Sequence, residues 1–274
     1  MSAPASLELA WFAALCDDDY EQLGVPDPSL LSSYQHCADI VHTADRLGYD
    51  AILMPSGYAL GIDTVAFTAA IARSTTRIRP IVAVRTGEMW APQLARQLAT
   101  LHHLLDGRMV VNIISSELPG EQLESAPRYA RTLEYMRALR TLLGGNRLLG
   151  GGDWVPMAVD SPRIAATVGG CPPLYFGGLS DDAREVAAQE ADVYLMWPDT
   201  MPAVEAVLAD MRGRAARYGR TLRFGYRVHV VVRPTEAEAR DAAAHLIAAL
   251  DPAVGESIRA KSTTVSVRLA NSPS

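Results

Sequence analysis

Short apolar runs alternate with amphipathic segments along most of this 274-residue chain. Nearly continuous apolar runs predict parallel strands that are buried on both faces, and apolar residues at helical spacing predict helices that cover the sheet. The predicted strands cover Leu7–Leu15, Ala51–Met54, Ile78–Val84, Met109–Ile114, Leu174–Phe176, Val193–Met196 and Arg223–Val232. The predicted helices cover Ser33–Leu47, Thr64–Arg73, Ala91–Leu105, Tyr129–Leu143, Asp182–Glu190, Pro202–Tyr218 and Thr235–Leu250.

Repeated strand–helix units predict an α/β fold, and seven of them in sequence favour a TIM (β/α)8-type barrel over an open doubly wound sheet. We expect this barrel to be incomplete at the C-terminus, because only Thr264–Leu269 could supply a short eighth strand. The expected domains are a barrel domain over residues 1–250 and a weakly structured tail over 251–274. An insertion rich in Gly and Pro is expected at about residues 144–172.

Composition narrows the class of protein. Hydrophobic residues make up 49% of the chain, and the net charge of −6 comes without a basic cluster, which argues against a nucleic-acid surface. No apolar run approaches the roughly 20 residues that a membrane-spanning helix needs. Cys16, Cys37 and Cys171 are odd in number and widely spaced, as free thiols of a reducing compartment are. The start of the chain lacks a signal-peptide pattern, so we expect a cytoplasmic protein.

The most informative segment is Pro172–Ala183, PPLYFGGLSDDA, which reads as a buried strand, two glycines and the start of a helix. Glycines after a strand allow close backbone approach to a ligand, and free N–H groups at a helix start attract a phosphate. A tight turn with Ser180 or Asp181 as N-cap explains the same residues. The residues alone leave both interpretations open.

Other polar side chains interrupt the predicted strands. Arg227 and His229 alternate with valines in the seventh strand and are expected to point into the barrel, as an internal ion pair or as part of a ligand site. Asn112 lies within the apolar fourth strand and needs hydrogen-bond partners there. Arg85 ends the third strand, where it could contact an anion or simply lie on the surface. His102 and His103 have no third ligand at useful spacing, so we expect no metal site.

Four segments together carry a resemblance to a known family: Leu47–Gly57, Leu101–Asn112, Pro172–Ser180 and Arg223–Val232. They resemble the bacterial luciferase-like flavin-dependent monooxygenases, and most of all the FMNH2-dependent alkanesulfonate monooxygenase group. The resemblance runs from the first strand to the seventh helix. Leu179 stands where that group often has a serine, and the stretch after the fourth strand also departs from the pattern.

The resemblance implies a site at the C-terminal mouth of the barrel. It implies an FMN phosphate at Gly177, Gly178 and Ser180 with help from Tyr129, and Asn112 beside the flavin ring. His229 and Arg227 match the active-site His and Arg of the family, and Arg85 belongs to the substrate side.

The function expected from this resemblance is that of a two-component monooxygenase. FMNH2 from a separate NAD(P)H:FMN reductase would react with O2 and oxygenate a small organic substrate, for which an alkanesulfonate is one candidate. We also expect a homo-oligomer, with no nucleic-acid or membrane partner. The alternatives are an F420-dependent oxidoreductase on the same scaffold and an inactive, shortened flavin-binding or assembly subunit. A truncated product without a stable fold is a third.

Overall fold

The computed structural model describes residues 7–57 and 61–256 and shows the alternation of strands and helices that the sequence predicts. The strands are β1 (Ala10–Phe12), β2 (Ala51–Met54), β3 (Arg79–Arg85), β4 (Val110–Ile114), β5 (Leu174–Gly177), β6 (Val193–Met196) and β7 (Arg223–Tyr226). The helices are α1 (Tyr34–Leu47), α2 (Thr64–Ile71), α3 (Ala91–Leu104), α4 (Ser125–Leu143), α5 (Asp181–Glu190), α6 (Met201–Arg217) and α7 (Glu236–Ile247). Short 3₁₀ turns lie at Pro28–Leu30 and Arg163–Thr167.

All six strand pairs are parallel, and the strands follow one another in chain order from β1 to β7. Over the described residues the sheet curls into an incomplete TIM-type barrel, which confirms the predicted fold class. The candidate eighth strand, Thr264–Leu269, lies outside the described residues.

Two apolar layers hold the sheet. The larger one lies between the strands and the outer helices, where Phe176, Tyr194 and Met136 are almost completely buried. A smaller inner layer includes Ile81, Val110, Tyr175 and Val193, which face the barrel interior. Successive strand residues therefore alternate between the two layers, as a sheet buried on both faces requires.

Side chains connect the first and last strands across the barrel interior. Glu8 accepts hydrogen bonds from Arg79 Nη2 at 2.7 Å and from Arg223 Nη2 at 2.6 Å. Burial raises the pKa of Glu8, but the hydrogen bonds and charges of the two arginines together outweigh it and lower that pKa. The N-terminal end of the curled sheet is thus held by ion pairs.

The caps of several helices agree with the sequence. Ser180 accepts a hydrogen bond from Ala183 N at 3.2 Å at the start of α5. Gly48 ends α1 in the left-handed conformation, with φ of 87°. Thr235 and Glu238 form a capping box at the start of α7, because each side chain binds the backbone N–H of the other.

The predicted seventh strand is too long. The ladder ends at Tyr226, and Val228, Val230 and Val232 are more than half exposed, so the expected apolar face against the outer helices is wrong. The predicted first strand also shortens, to Ala10–Phe12. In both segments apolar residues continue past the last residue that pairs with a neighbouring strand among the described residues.

Segment 144–172 contains little regular structure, as its Gly and Pro content predicts. Leu148 and Val159 form one antiparallel bridge, and the 3₁₀ turn at Arg163–Thr167 packs near α3. None of the described helices is long and apolar enough to cross a membrane.

Candidate functional site

The C-terminal ends of the strands bring together most of the residues that the sequence singles out. Arg85 ends β3, Asn112 lies in β4, Gly177 ends β5, and Arg227 directly follows β7. Asn112 pairs in register with Ala83 and with Tyr175, so it faces the barrel interior and is partly exposed there. This end of a TIM-type barrel is where active sites form.

The turn after β5 requires both of its glycines. A Cβ on Gly177 would lie 2.6 Å from the carbonyl oxygen of Leu195, and a Cβ on Gly178 would lie 2.6 Å from Cβ of Ala183. Gly178 also has φ of +153°, which side chains rarely adopt. The hydroxyl of Tyr194 donates a hydrogen bond to the carbonyl oxygen of Gly178 and so stabilises the turn.

Tyr129 lies directly beside this turn. Its hydroxyl oxygen is 3.6 Å from the position of a Cβ on Gly178, and its ring packs edge-on against Phe176 with centroids 6.4 Å apart. The guanidinium of Arg128 lies over the Tyr129 ring, 5.1 Å from its centroid, and donates to the carbonyl oxygen of Ser115 at 3.2 Å. Arg128 Nε is buried without a hydrogen-bond partner.

The sequence placed Arg128 and Tyr129 at or just before the start of the fourth helix. The structure begins α4 at Ser125, so both residues lie within its first turns. A helical backbone fixes their direction more firmly than a loop would, and it points Tyr129 at the glycine turn.

The helix start after the turn has the features that a phosphate needs. Free N–H groups open α5, the glycines leave room for close approach, and Tyr129 adds a hydroxyl. The acidic side chains of the first turn are already engaged, since Asp181 accepts from Arg214 Nη2 and Asp182 accepts from Ser125 Oγ, each at 2.6 Å. The residues present therefore fit a phosphate-bearing cofactor such as a flavin nucleotide.

Arg85 is largely buried at the end of β3, with a side chain 10% exposed. Its Nε donates to Ser116 Oγ at 2.7 Å, and its Nη1 lies 3.5 Å from the Glu88 carboxylate. The guanidinium thus links the loop after β3 to the loop after β4. It lies within the barrel mouth, so the interpretation of Arg85 as a simple surface arginine is wrong.

A chain of hydroxyls fixes the same two loops to α4. Thr86 Oγ1 lies 3.0 Å from Thr132 Oγ1, which donates to Ser115 Oγ at 2.8 Å. Both threonines are completely buried. Because a buried hydroxyl without a partner is costly, this chain holds the strand ends in one arrangement.

A buried ion pair between Arg131 and Glu121 stabilises the loops after β3 and β4. Arg131 Nη1 donates to both oxygens of Glu121 at 2.8 Å, and the guanidinium stacks on Trp154, 5.4 Å from a ring centroid. Gly87 passes so close that a Cβ there would lie 2.8 Å from Arg131. These contacts join the β3–α3 loop, the β4–α4 loop and segment 144–172.

Arg227 lies between two aromatic rings at the opposite side of the mouth. Its guanidinium carbon is 4.8 Å from the Phe12 ring centroid and 4.6 Å from that of Trp197. Burial lowers the pKa of Arg227, and the charge of Asp18 acts against that shift. The guanidinium is thus in cation–π contact with two rings while the residue stays exposed to solvent, so its N–H donors are open to an anionic group.

His229 is not brought into the same contacts. It lies beyond the end of β7, its side chain is exposed, and the described residues give it no hydrogen bond or ion pair. Arg227 and His229 therefore do not form the internal ion pair that the sequence allowed as one alternative. The catalytic role that the resemblance implies for them stays a prediction.

The described residues contain no group of three His, Cys, Asp or Glu side chains that could hold a metal ion. Burial is the main cause that raises the pKa of Cys16 and of Cys37 to about 11, and that of Cys171 to about 12. The three thiols are thus protonated at neutral pH and are poor nucleophiles.

Sequence reasoning missed Phe12, Trp197 and Asp18. Phe12 and Trp197 each stand at or just after the C-terminal end of a strand, which was a usable signal for residues of a barrel mouth. Asp18 belongs to the acidic run after β1. It is about 200 residues from Arg227 in sequence, so local spacing gave no signal that the charge of Asp18 acts on the pKa of Arg227.

The assembled site contains a glycine turn that fits a phosphate, the largely buried Arg85 at the end of β3, and Arg227 with its two aromatic neighbours after β7.

Comparison with known proteins agrees with this arrangement. The luciferase-like monooxygenase family matches residues 9–270. A sulfoquinovose monooxygenase of Novosphingobium aromaticivorans is 57% identical over 267 residues, which cover 95% of this chain and 74% of that protein. A sulfoquinovose monooxygenase of Agrobacterium fabrum is 46% identical over 254 residues, covering 92% of this chain and 66% of that protein.

Solved structures with the same fold include enzymes of two cofactor types. EDTA monooxygenase from Chelativorans sp. BNC1 has a TM-score of 0.75 at 19% identity, over 89% of this chain and 69% of that one. A 3,6-diketocamphane monooxygenase of Pseudomonas putida in complex with FMN has a TM-score of 0.66 at 14% identity, over 86% and 71%. The F420-dependent tetrahydromethanopterin reductase of Methanopyrus kandleri has a TM-score of 0.67 at 15% identity, over 86% and 69%.

The structural neighbours show the fold, while the two relatives and the family match cover almost the whole chain at the level of sequence. The expected family is therefore confirmed. This chain belongs to the luciferase-like monooxygenase family.

Proposed function

We propose that this chain is the oxygenase component of a two-component, FMNH2-dependent monooxygenase whose substrate is sulfoquinovose. The single observation that carries the proposal is the 57% identity, over 95% of the chain, to a sulfoquinovose monooxygenase. The simple alkanesulfonate considered from the sequence gives way to a sulfonated sugar as the proposed substrate, because both relatives are named sulfoquinovose monooxygenase.

The cofactor proposed is FMN, delivered in reduced form by an NAD(P)H:FMN reductase. Gly177, Gly178 and Ser180 would hold its phosphate with the hydroxyl of Tyr129, and Asn112 would meet the polar edge of the flavin ring. When bound, the reduced flavin supplies the activation of O2 that oxygenation needs. The glycine turn, which has no room for a side chain, supports this assignment.

We assign Arg85 and Arg227 to binding the sulfonate group of the substrate. A sulfonate is an anion with three acceptor oxygens, and a guanidinium matches it with parallel N–H donors. Arg227 lies between Phe12 and Trp197, while Arg85 is largely buried and its Nη1, 3.5 Å from the Glu88 carboxylate, makes no hydrogen bond.

The overall reaction balances as a carbon–sulfur cleavage. The CH2–SO3⁻ group, O2 and FMNH2 give an aldehyde, sulfite, FMN, water and one proton. One oxygen atom enters the carbon that bore sulfur, and the other leaves as water. A proton must be moved near that carbon, and His229 is the group we assign to it, because an imidazole nitrogen can accept or donate a proton.

Sulfite release tests the proposal directly. The full chain would be mixed with FMN, a flavin reductase, NADH and either sulfoquinovose or hexanesulfonate, and sulfite would be measured over time. We expect sulfite from sulfoquinovose, and none when the reductase is omitted. Flavin binding without any sulfite from sulfoquinovose would reject the proposal in favour of an inactive flavin-binding subunit.

A matched pair of variants tests the role of Arg227. Arg227→Met keeps much of the side-chain volume but removes the charge, and we expect a loss of at least 100-fold in kcat/KM, on the order of 3 kcal/mol. Arg233→Met is the control, because Arg233 is exposed and donates only to the carbonyl oxygen of Val232. Equal activity of the two variants would show that Arg227 does not bind substrate.

The rival cofactor is F420, which occurs on this fold in the Methanopyrus kandleri reductase. Parallel titrations with FMN and F420, followed by flavin fluorescence and by the rise in thermal stability, separate the two. Stronger stabilisation by F420 would replace the monooxygenase proposal with hydride transfer. The homo-oligomeric assembly and the cytoplasmic location expected from the sequence stay predictions.

A further inference from the structure

Tyr194 contacts the glycine turn from the buried side of the sheet. It belongs to β6, pairs in register with Phe176, and has no exposed surface. Its ring is part of the apolar layer between the sheet and the outer helices. Strand pairing and packing thus fix the ring, and the hydroxyl donates a hydrogen bond to the carbonyl oxygen of Gly178.

This hydrogen bond holds a peptide group that the glycine itself leaves free to rotate. Glycine adopts many backbone conformations, and Gly178 has φ of +153°. Among the described residues no backbone N–H donates to the Gly178 carbonyl, so the Tyr194 hydroxyl is the donor that holds it. Burial is the main cause that raises the pKa of Tyr194, so the hydroxyl keeps its proton at neutral pH and stays a donor.

The same peptide group carries the N–H of Leu179. None of the described peptide bonds is cis, and in a planar trans peptide the C=O and the N–H point in opposite directions. Because the Gly178 carbonyl points to Tyr194 in the buried layer, the Leu179 N–H points away from that layer. It donates to no other backbone group in the part of the chain that the structure describes. An unpaired N–H is therefore available at the turn that the Tyr129 hydroxyl also approaches.

We propose that Tyr194 is a positioning residue that orients the peptide between Gly178 and Leu179, so that its N–H donates to the phosphate of the flavin nucleotide. This inference rests on the proposed function. Tyr194 itself does not touch the ligand, because its side chain is completely buried. Without the hydroxyl, the Gly178 carbonyl loses its partner and the peptide can turn toward another donor. The N–H then no longer points at the phosphate, although every residue of the turn is still present.

The consequence is a selective loss of affinity. FMN carries a phosphate and riboflavin does not, so only FMN uses the oriented N–H. A hydrogen bond to a charged group is stronger than one between neutral groups, and its loss weakens binding about 10- to 100-fold.

The test compares Tyr194→Phe with the full wild-type chain in titrations with FMN and with riboflavin, followed by flavin fluorescence. We expect the affinity for FMN to fall about 10- to 100-fold and the affinity for riboflavin to stay near the wild-type value. In the sulfite assay the KM for FMNH2 should rise by a similar factor, while kcat at saturating FMNH2 stays unchanged.

Tyr135→Phe is the matched control for the loss of a buried tyrosine hydroxyl. Tyr135 is also buried, and its hydroxyl donates to a backbone carbonyl, that of Met89, at 3.1 Å. This variant should leave the ratio of the FMN and riboflavin affinities at the wild-type value.

The Leu179 amide provides a second readout that needs no variant. In the NMR spectrum of the isotope-labelled wild-type chain, its resonance should shift on addition of FMN and shift much less with riboflavin. If Tyr194→Phe keeps the wild-type preference for FMN, or loses affinity for both flavins equally, the inference is overturned. If the wild-type chain binds FMN no better than riboflavin, the phosphate site of the proposed function has failed and this inference falls with it.

Discussion

Gly178→Ala is the substitution whose effect the structure defines most sharply. The new methyl would lie 2.6 Å from Cβ of Ala183, in a backbone with φ of +153°. Holding a side chain in that backbone region costs about 1–3 kcal/mol, and overpacking of a tight site costs about 1–3 kcal/mol more. The sum of roughly 2–6 kcal/mol is a large part of the 5–15 kcal/mol that stabilises a typical domain.

Urea unfolding followed by circular dichroism measures the loss of stability, and Gly213→Ala is the control. Gly213 lies in α6 with nothing within 4 Å of a Cβ, so alanine there should stabilise the protein by about 0.5–1 kcal/mol. The double variant Gly178→Ala/Ala183→Gly removes the overlap but keeps the φ strain. It should recover part of the loss, which separates the two contributions.

Flavin affinity provides the functional half of this prediction. Because the methyl would enter the cradle beside Tyr129, FMN should bind at least tenfold more weakly, a loss of about 1.4 kcal/mol. Riboflavin, which has no phosphate, should bind both proteins with similar affinity. Wild-type stability together with wild-type FMN affinity in Gly178→Ala would refute the reasoning.

Three further predictions concern stability. Glu8→Gln should lower the free energy of unfolding by about 1 kcal/mol at pH 7. Because folding lowers the pKa of Glu8, the stability difference between wild type and variant should shrink as the pH falls below about 4. Urea unfolding at both pH values measures this difference. Glu121→Gln should destabilise by about 3 kcal/mol, since it leaves the buried Arg131 without a counter-charge, and a control at an exposed glutamate should change little in the same assay. Thr235→Ala should cost about 1 kcal/mol locally, visible as faster amide exchange in α7 with little change in global unfolding.

Local signals in the sequence were sufficient for most of the fold. Ala51–Met54 and Val193–Met196 were predicted with the bounds that the structure shows, because each is a short apolar run between polar breaks. The run from Val228 to Val232 looks just as favourable for a strand. It is exposed in the structure, since a strand forms only where a neighbour offers its backbone groups.

In the candidate site, too, features that depend on neighbouring residues could be predicted, and contacts between distant segments could not. The glycine turn and its Ser180 cap were visible in the sequence because both depend on consecutive residues. The aromatic pair around Arg227 was not, because Phe12 and Trp197 come from strands far apart in the chain. Contacts of that kind depend on how the sheet curls, and local spacing carries no information about the curl.

The ion pair between Glu8 and Arg223 has a consequence for how the molecule forms. Its partners are 215 residues apart, so they cannot meet until almost all the described sheet exists. At a synthesis rate of about 5–20 residues per second, the first strand waits roughly 10–40 s on the ribosome for its last contact. During that interval Leu9 and Trp11, still half exposed in the finished fold, border an unpaired strand edge that other chains could pair with.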